Sequence, residues 1–203
     1  MTDTGSRVVP ANEYRRVRWK NGLGWTREIA RGYARPAQGP AQPCADFPKA
    51  DDWNWRLSIA EIERDAAFSA FPGIERELVL LRGNGLRLRF DDGEVRELHP
   101  PHDRMRFAGE RALDGELLDG PTHDFNLMWR RDAVAAELQH RPLVGPMLFF
   151  TGPDTTWAIH LLAGQARFDT ASALPPLEAG DTAILEDENE RSPCPLEGRG
   201  GEL

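Results

Sequence analysis

The sequence has no excess of positive charge. Its 203 residues include 25 Lys and Arg against 33 Asp and Glu, which gives a formal net charge of −8 and a pI near 5.2. Proteins that bind nucleic acid need clustered basic residues to displace counterions from phosphates, and this chain has no basic tail. An anionic membrane surface is disfavoured for the same reason. We therefore expect neither nucleic acid nor a membrane as a partner.

Long apolar runs are missing too, and cysteine is scarce. No segment approaches the roughly 18 apolar residues of a membrane-spanning helix, and the N-terminal stretch MTDTGSRVVPANEYRRVRWK lacks the apolar core of a signal peptide. The two cysteines, Cys44 and Cys194, are far apart in sequence and both adjoin proline. We interpret them as reduced thiols of a cytoplasmic protein, while a disulfide between them stays open.

Helical periodicity is nearly absent. One short segment, Arg131–His140, fits a helix, and it stops just before Pro142. Elsewhere, short runs alternate apolar and polar residues between turn residues, as in WRLSIA (55–60) and DFNLMWRR (124–131). This alternation predicts an all-β protein with at most short helices.

Two segments of the chain resemble one another. ELVLLRGNGLRLRF (77–90) and WAIHLLAGQARF (157–168) each consist of an apolar strand, a Leu-Leu-x-Gly turn and a returning strand with arginine. Units of this kind are typical of cupin-type barrels, so the repeat predicts a bicupin, two jelly-roll-like β-barrels packed together in one compact unit of residues 1–203. We place the first barrel, with the ligand pocket, at approximately residues 14–131 and the second at approximately 141–190. We expect the two to exchange strands, and the mostly apolar second barrel to be filled and structural.

Two segments are expected to lie outside the strands. Residues 33–52 are rich in Pro, Gly, Ala and Asp, which predicts a long surface loop. Residues 186–203 are polar and Gly-rich, and we expect them to be frayed.

The Gly-rich stretch WKNGLGWTREI (19–29) raises the question of a phosphate-binding loop. Its lysine precedes the glycines, and an alternating strand pattern follows them, so the sequence offers no helix N-terminus to a phosphate. Asn21-Gly22 is instead a strong turn signal. The stretch therefore predicts a tight turn that leads into a strand.

Metal-binding and nucleophile motifs are also missing. The close pair His99 and His102 is interrupted by two prolines, unlike the His-x-His of a metallo-cupin, and His160 lies in an apolar strand, where we expect a hydrogen-bonded core residue. The chain has no Gly-x-Ser-x-Gly elbow. We predict no metal and no cofactor.

Three predicted strands each place small or polar residues on one face. This face could be exposed to solvent, but Thr, Ser, Ala, Asn and Met differ from the Arg, Asp and Glu found elsewhere, and they better suit the inside of a wet barrel. We expect Glu28 and Arg56 either to pair or to hold a zwitterionic ligand together. The three faces are Thr26, Glu28 and Ala30, then Arg56, Ser58 and Ala60, then Asp124, Asn126, Met128 and Arg130.

The motifs WKNGLGWTREI, WNWRLSIAEIERDAAFSAFPGIER, LLRGNGLRL and DGPTHDFNLMWRR occur in this order. Together they resemble the HutD/Ves family of bacterial proteins, and the resemblance runs from about Arg15 to Leu185. It implies a bicupin fold. For the HutD branch, it also implies binding of a histidine-degradation intermediate such as formylglutamate or formiminoglutamate, by which the protein would regulate flux through histidine utilisation. The Ves branch is described as stress-related. No enzymatic activity is firmly attached to either branch. The segment 33–52 departs from the family by its length and its Pro/Ala content.

The first hypothesis is a binding protein without catalytic activity, whose ligand is a small carboxylate or a formyl- or formimino-amino acid. Arg56 would bind the carboxylate, Asn21 and Asn126 would bind an amide or formyl group, and a homodimer is one assembly that the sequence leaves open. The residues expected to line or rim the pocket are Lys20, Asn21, Thr26, Glu28, Arg56, Ser58, Asp124 and Asn126.

Two alternatives remain. One is a metal-independent cupin enzyme, an isomerase or hydrolase in which Glu28 acts as acid or base. The other is a protein-interaction module in a stress response, which would use the acidic exterior.

Overall fold

The computed structural model describes residues 5–32, 53–187 and 192–203. Nearly all of its regular structure is β-strand, with two short 3-10 helices at Ala11–Glu13 and Thr170–Ser172, which confirms the all-β prediction. The strands, numbered in chain order, are β1 (Arg7–Val9), β2 (Arg15–Arg18), β3 (Gly24–Gly32), β4 (Trp55–Ile62), β5 (Ala66–Ala67), β6 (Ile74–Arg82), β7 (Leu86–Phe90), β8 (Val95–Leu98), β9 (Arg104–Ala108), β10 (Leu113–Leu117), β11 (Thr122–Arg130), β12 (Pro142–Val144), β13 (Met147–Thr151), β14 (Trp157–His160), β15 (Ala163–Phe168), β16 (Leu177–Glu178), β17 (Thr182–Leu185) and β18 (Ser192–Glu202). The predicted loop 33–52, with Cys44, lies outside the described residues.

The chain divides into two units. The larger comprises Arg15–Leu138, and the smaller combines the residues before Arg15 with those from Gln139 onward. In the larger unit, a six-stranded antiparallel sheet has the order β2-β3-β4-β11-β6-β9, and a four-stranded antiparallel sheet has the order β5-β10-β7-β8. In the six-stranded sheet both faces carry buried apolar residues, for example Leu57 and Ile59 on one face and Ile62 and Leu78 on the other.

The core of the larger unit joins residues of both sheets. The six-stranded sheet contributes Ile62, Leu78 and Leu80, and the four-stranded sheet contributes Leu86 and Leu88, all at most 1% exposed. Because β4 and β6 both use even-numbered residues here, the inner face of the sheet carries the even-numbered residues of β4, β6, β11 and β3 up to Glu28, and the odd-numbered residues of β2 and β9. This parity determines which polar side chains also point inward.

The smaller unit has its own core. One sheet has the order β1-β17-β14, and the other has the order β12-β18-β15-β16, with β13 also paired to β18. Buried apolar residues such as Leu143, Leu161, Leu177 and Leu196 form a single cluster. His160 donates to or accepts from the Thr182 hydroxyl at 2.9 Å, which confirms the hydrogen-bonded role expected for it.

The prediction that residues 186–203 fray is wrong for the part from Ser192 onward. These residues form β18, the longest strand of the described chain, which pairs with β12, β13 and β15. The glycines that suggested disorder are needed for close packing, because a Cβ on Gly201 would lie 2.6 Å from the Ala163 carbonyl oxygen. Pro193 lies where β18 pairs with β13 alone, so its missing N–H breaks no ladder.

The helix predicted at Arg131–His140 is also wrong. The segment makes one turn, with the Val134 N–H donating to the Arg130 carbonyl at 3.0 Å, and then has no regular structure. A ten-residue helix needs a packed face to be stable. Here backbone carbonyls are used otherwise, since Arg104 donates to the Leu138 carbonyl at 2.6 Å. Among the described residues, no helix has the length and apolar character needed to cross a membrane.

A buried hydroxyl cluster in the smaller unit yields a stability prediction. The Tyr14 hydroxyl donates to the Gly180 carbonyl at 2.6 Å and lies 2.7 Å from the hydroxyl of Thr182, which is 0% exposed. Tyr14→Phe leaves these oxygens short of a partner, so urea unfolding should show a loss of about 1–3 kcal/mol. Thr155→Ala, at an exposed position of the same unit, should change stability by less than about 0.5 kcal/mol. Equal stabilities of Tyr14→Phe and the parent protein would contradict the assignment.

Candidate functional site

The inner face of the six-stranded sheet carries a group of polar side chains. In register, Glu28 on β3 lies opposite Ser58 on β4, and Ser58 lies opposite Asn126 on β11. Residues opposite each other on neighbouring strands share a face, so these three side chains form one polar row across the sheet. Ser58 is 2% exposed and Asn126 is 7% exposed.

Two further rows flank this one. On one side, Thr26, Ala60 and Asp124 are in register. On the other side, Arg56 lies opposite Met128, which lies opposite Arg76 on β6. We call six of these inner-face side chains the polar belt: Glu28, Arg56, Ser58, Arg76, Asp124 and Asn126.

The more exposed end of the polar belt is an ion pair. Arg56 Nε donates to Glu28 Oε2 at 2.9 Å, and the two side chains are 20% and 14% exposed. Arg15 and Arg31 approach the other oxygen of Glu28, at 4.0 and 3.9 Å. Glu28 is thus surrounded by three guanidinium groups.

A β-bulge explains why Arg31 reaches Glu28. The register between β3 and β4 shifts between Glu28 and Ala30, so Ala30 lies opposite Leu57 and Arg31 lies opposite Arg56. The expectation that Ala30 shares a face with Glu28 is therefore wrong. One additional residue in β3 reverses the alternation beyond it.

Arg76 is the residue of the polar belt that the predicted site did not include. It is 4% exposed, and its guanidinium carbon lies 5.4, 5.6 and 5.1 Å from the ring centroids of Phe68, Phe71 and Phe107. Its hydrogen bond is a long one of 3.4 Å to the Ser69 carbonyl, and Nε has no partner. Burial, with a smaller contribution from the charge of Arg56, lowers its pKa to about 10. Arg76 lies two and four residues before Leu78 and Leu80 in β6, so strand alternation places its side chain on the same inner face.

Arg76 remains charged at neutral pH and has no counterion among the described residues. A pKa of about 10 keeps the guanidinium protonated at pH 7. Within residues 5–32, 53–187 and 192–203, no carboxylate lies within 4.0 Å of its nitrogens. Aromatic faces stabilise a buried cation only partly, so the charge of Arg76 would be neutralised by a bound anion.

At the other end of the polar belt lies a buried carboxyl group. Asp124 is 0% exposed, the Thr122 hydroxyl donates to its Oδ2 at 2.8 Å, and Oδ1 has no partner. Burial raises the pKa of Asp124 to about 7, and the Thr122 hydrogen bond opposes this. The neighbouring Asn126 Oδ1 is also buried without a partner.

The three other residues predicted for the site lie in the turn before β3 and near the start of that strand. Lys20 and Asn21 are exposed in the turn before β3, and Asn21 Oδ1 accepts the Leu23 N–H at 3.0 Å within that turn. Gly22 has φ +73°, as the predicted Asn-Gly turn requires. Thr26 Oγ1 accepts from the Trp19 indole at 2.9 Å, so its hydroxyl oxygen is already used.

Two clefts of the described surface are lined by residues outside the polar belt, although Phe68 of the first also contacts Arg76. One, of about 210 Å³, is lined by Phe68, Arg89 and Asp114, and the other, of about 410 Å³, belongs to the smaller unit and includes Asp169 and Cys194. Burial raises the pKa of the free Cys194 thiol, which makes it a poor nucleophile at neutral pH. We place the candidate site at the polar belt because uncompensated buried charge lies there.

Comparison with known proteins gives a consistent family match. The family model described as HutD matches residues 11–202. An uncharacterized 21.2 kDa protein in the hutC 3' region of Pseudomonas putida is 37% identical over 132 residues, which are 65% of this chain and 62% of that protein. Protein Ves of Cronobacter sakazakii is 34% identical over 147 residues, 72% of this chain and 70% of that protein.

Two solved structures extend this match to the fold. HutD from Pseudomonas fluorescens SBW25 has a TM-score of 0.74 at 26% identity, and a conserved protein of unknown function from Pseudomonas aeruginosa PAO1 has a TM-score of 0.77 at 28% identity. Each covers 97% of this chain and 95% of the other. These matches confirm the bicupin fold.

The raised pKa of Asp124 yields a pH-dependent prediction. The native state holds this proton more tightly than the unfolded state, so the stabilisation is complete below the unfolded pKa and is lost as pH rises through about 7. Asp124→Asn has no such proton, so its stability relative to the parent protein should rise by about 2 kcal/mol between pH 5 and pH 8. Urea unfolding across this range measures the change. Met128→Leu, a non-titrating control on the same strand face, should show a constant difference, and a constant difference for Asp124→Asn would refute the assigned pKa.

Proposed function

Because the chain belongs to the HutD family, we propose that it is a binding protein without catalytic activity, whose ligand is a small carboxylate derived from histidine degradation. Formylglutamate and formiminoglutamate are the candidates, and occupancy of the site would regulate histidine utilisation. The name of the Pseudomonas putida relative refers to hutC, which supports this context. The cytoplasmic setting and a homodimer stay predictions.

The observation that carries the proposal is the buried charge of Arg76. A guanidinium enclosed by three phenylalanine rings has lost most of its hydration, and no described carboxylate restores the balance. A ligand carboxylate would do so, because its two oxygens match the planar N–H fork of arginine. We therefore assign the ligand carboxylate to Arg76.

For Arg56 we propose a supporting part in place of direct carboxylate binding. Its Nε is paired with Glu28, so its charge is already balanced there. Its field nevertheless acts on Arg76, whose pKa it lowers. An anion bound near both guanidinium groups would relieve this repulsion, so Arg56 supports carboxylate binding as the second cation of the site.

The ion pair of Glu28 bears on the enzyme alternative. A general base must offer a free oxygen to the proton that it removes. Both oxygens of Glu28 face arginine side chains, at 2.9 to 4.0 Å. This engagement favours a structural and electrostatic role for Glu28 over acid–base catalysis.

Calorimetry with purified protein tests the proposal. Formylglutamate or formiminoglutamate should bind the parent protein, and Arg76→Met should weaken that binding by about 10- to 100-fold, since a charge-assisted hydrogen bond contributes about 1.5–3 kcal/mol. The methionine fills a similar volume without charge, so thermal unfolding of the free variant should show unchanged or higher stability.

The matched control is Arg89→Met, which removes an exposed arginine paired with Glu116 in the same unit. Its affinity should equal that of the parent protein. The proposal would be refuted if neither compound bound the parent protein. It would also be refuted if Arg76→Met and the parent protein bound the compounds with equal affinity.

A further inference from the structure

Two oxygen atoms at the inner end of the polar belt lack hydrogen-bond donors. Asp124 Oδ1 and Asn126 Oδ1 are both buried and unpartnered, although Asp124 Oδ2 accepts from Thr122 at 2.8 Å. Buried polar atoms in native proteins nearly always have partners, because leaving one unpaired costs free energy. Two such atoms on neighbouring inward positions of one strand indicate a partner that the described residues do not supply.

The register orders the polar belt from a cation to these two acceptors. Arg76 lies in the row of Met128, Asn126 lies in the next row, and Asp124 lies in the row after that. Four residues along a strand correspond to about 13 Å between the Cα atoms of the first and last rows. The inner face thus offers a cation to one end of an elongated ligand and two acceptors to the other.

We propose that Asp124 and Asn126 bind a cationic N–H group of the ligand, an amidinium or ammonium, so that the site selects a zwitterionic amino-acid derivative over its neutral carbonyl analogue. This inference rests on the proposed function and adds to it the chemical class of the second end of the ligand. An amidinium presents two N–H donors to two oxygen acceptors and balances the charge of Asp124. A formyl oxygen would instead lie opposite two oxygen acceptors and could make no hydrogen bond with them.

The surroundings of Asp124 provide no other cation. Its cross-strand neighbours are Ala60 and Leu80, and no Lys or Arg of the described residues lies within 4.0 Å of its carboxyl group. The four-stranded sheet faces it with apolar residues, among them Leu86, Leu88 and Leu98. The charged side chains that the register places on the same inner face are Arg15, Glu28, Arg31, Arg56, Arg76 and Arg130. Because none of these arginines lies within 4.0 Å of the Asp124 carboxyl group, its charge is left for the ligand.

Protonation of Asp124 should tune this selectivity. Its raised pKa of about 7 leaves the carboxyl group largely neutral at pH 6 and largely ionised at pH 8. The neutral carboxyl group can donate from Oδ1 to a carbonyl oxygen, whereas the ionised group requires a donor. The preference for a cationic group should therefore grow as pH rises.

Calorimetry with N-formimino-L-glutamate and N-formyl-L-glutamate tests the inference, because the two compounds differ in a C=NH₂⁺ group against a C=O group. At pH 8 the formimino compound should bind at least about tenfold tighter, equivalent to about 1.4 kcal/mol. At pH 6 the preference should shrink several-fold. Equal or tighter binding of the formyl compound at pH 8 would overturn the inference and leave the proposed function standing, whereas failure of both compounds to bind would overturn both.

Variants of the parent protein sharpen the result. Asp124→Asn should abolish the preference for the formimino compound while it retains affinity for the formyl compound, and Asp114→Asn, at an exposed position of β10, should keep the parent preference. A preference that survives in a folded Asp124→Asn protein would contradict the inference. If that variant does not fold, the pH series on the parent protein decides alone.

Discussion

The positive charge of Arg76 is enclosed within the larger unit of the chain. Phenylalanine rings surround the guanidinium on three sides, and residues with 0% exposure, such as Leu78, lie beside it on the same strand. A charge in such a place is costly unless an opposite charge reaches it. The guanidinium therefore lies among apolar side chains beside one polar layer, and this arrangement limits where an anion can bind.

Antiparallel register converts this constraint into a site. Glu28, Ser58 and Asn126 are far apart in sequence, and pairing of β3, β4 and β11 sets them side by side. Pairing of β11 with β6 places Arg76, which lies on β6, one row away from Asn126, which lies on β11. Because the strands are held by ladders on both sides, these side chains are fixed before a ligand arrives, which lowers the entropic cost of binding.

Much of this arrangement could be predicted from period-two alternation and turn residues. The all-β class, the Asn21-Gly22 turn and the shared face of Ser58 and Asn126 all follow from local pattern. The bulge after Glu28, the ordering of β18 and the loss of the helix at 131–140 could not, because each is decided by partners distant in sequence. The place of Arg76 in the site could not be predicted from the alternation of β6 alone. It also depends on three phenylalanine rings that only the folded chain brings around the guanidinium.

A crystal structure of the protein grown with formylglutamate or formiminoglutamate tests the central claim most directly. The account predicts a ligand carboxylate oxygen within about 3 Å of a guanidinium nitrogen of Arg76, inside the larger barrel. A ligand that is ordered elsewhere, with Arg76 unpaired as in the free protein, would contradict it.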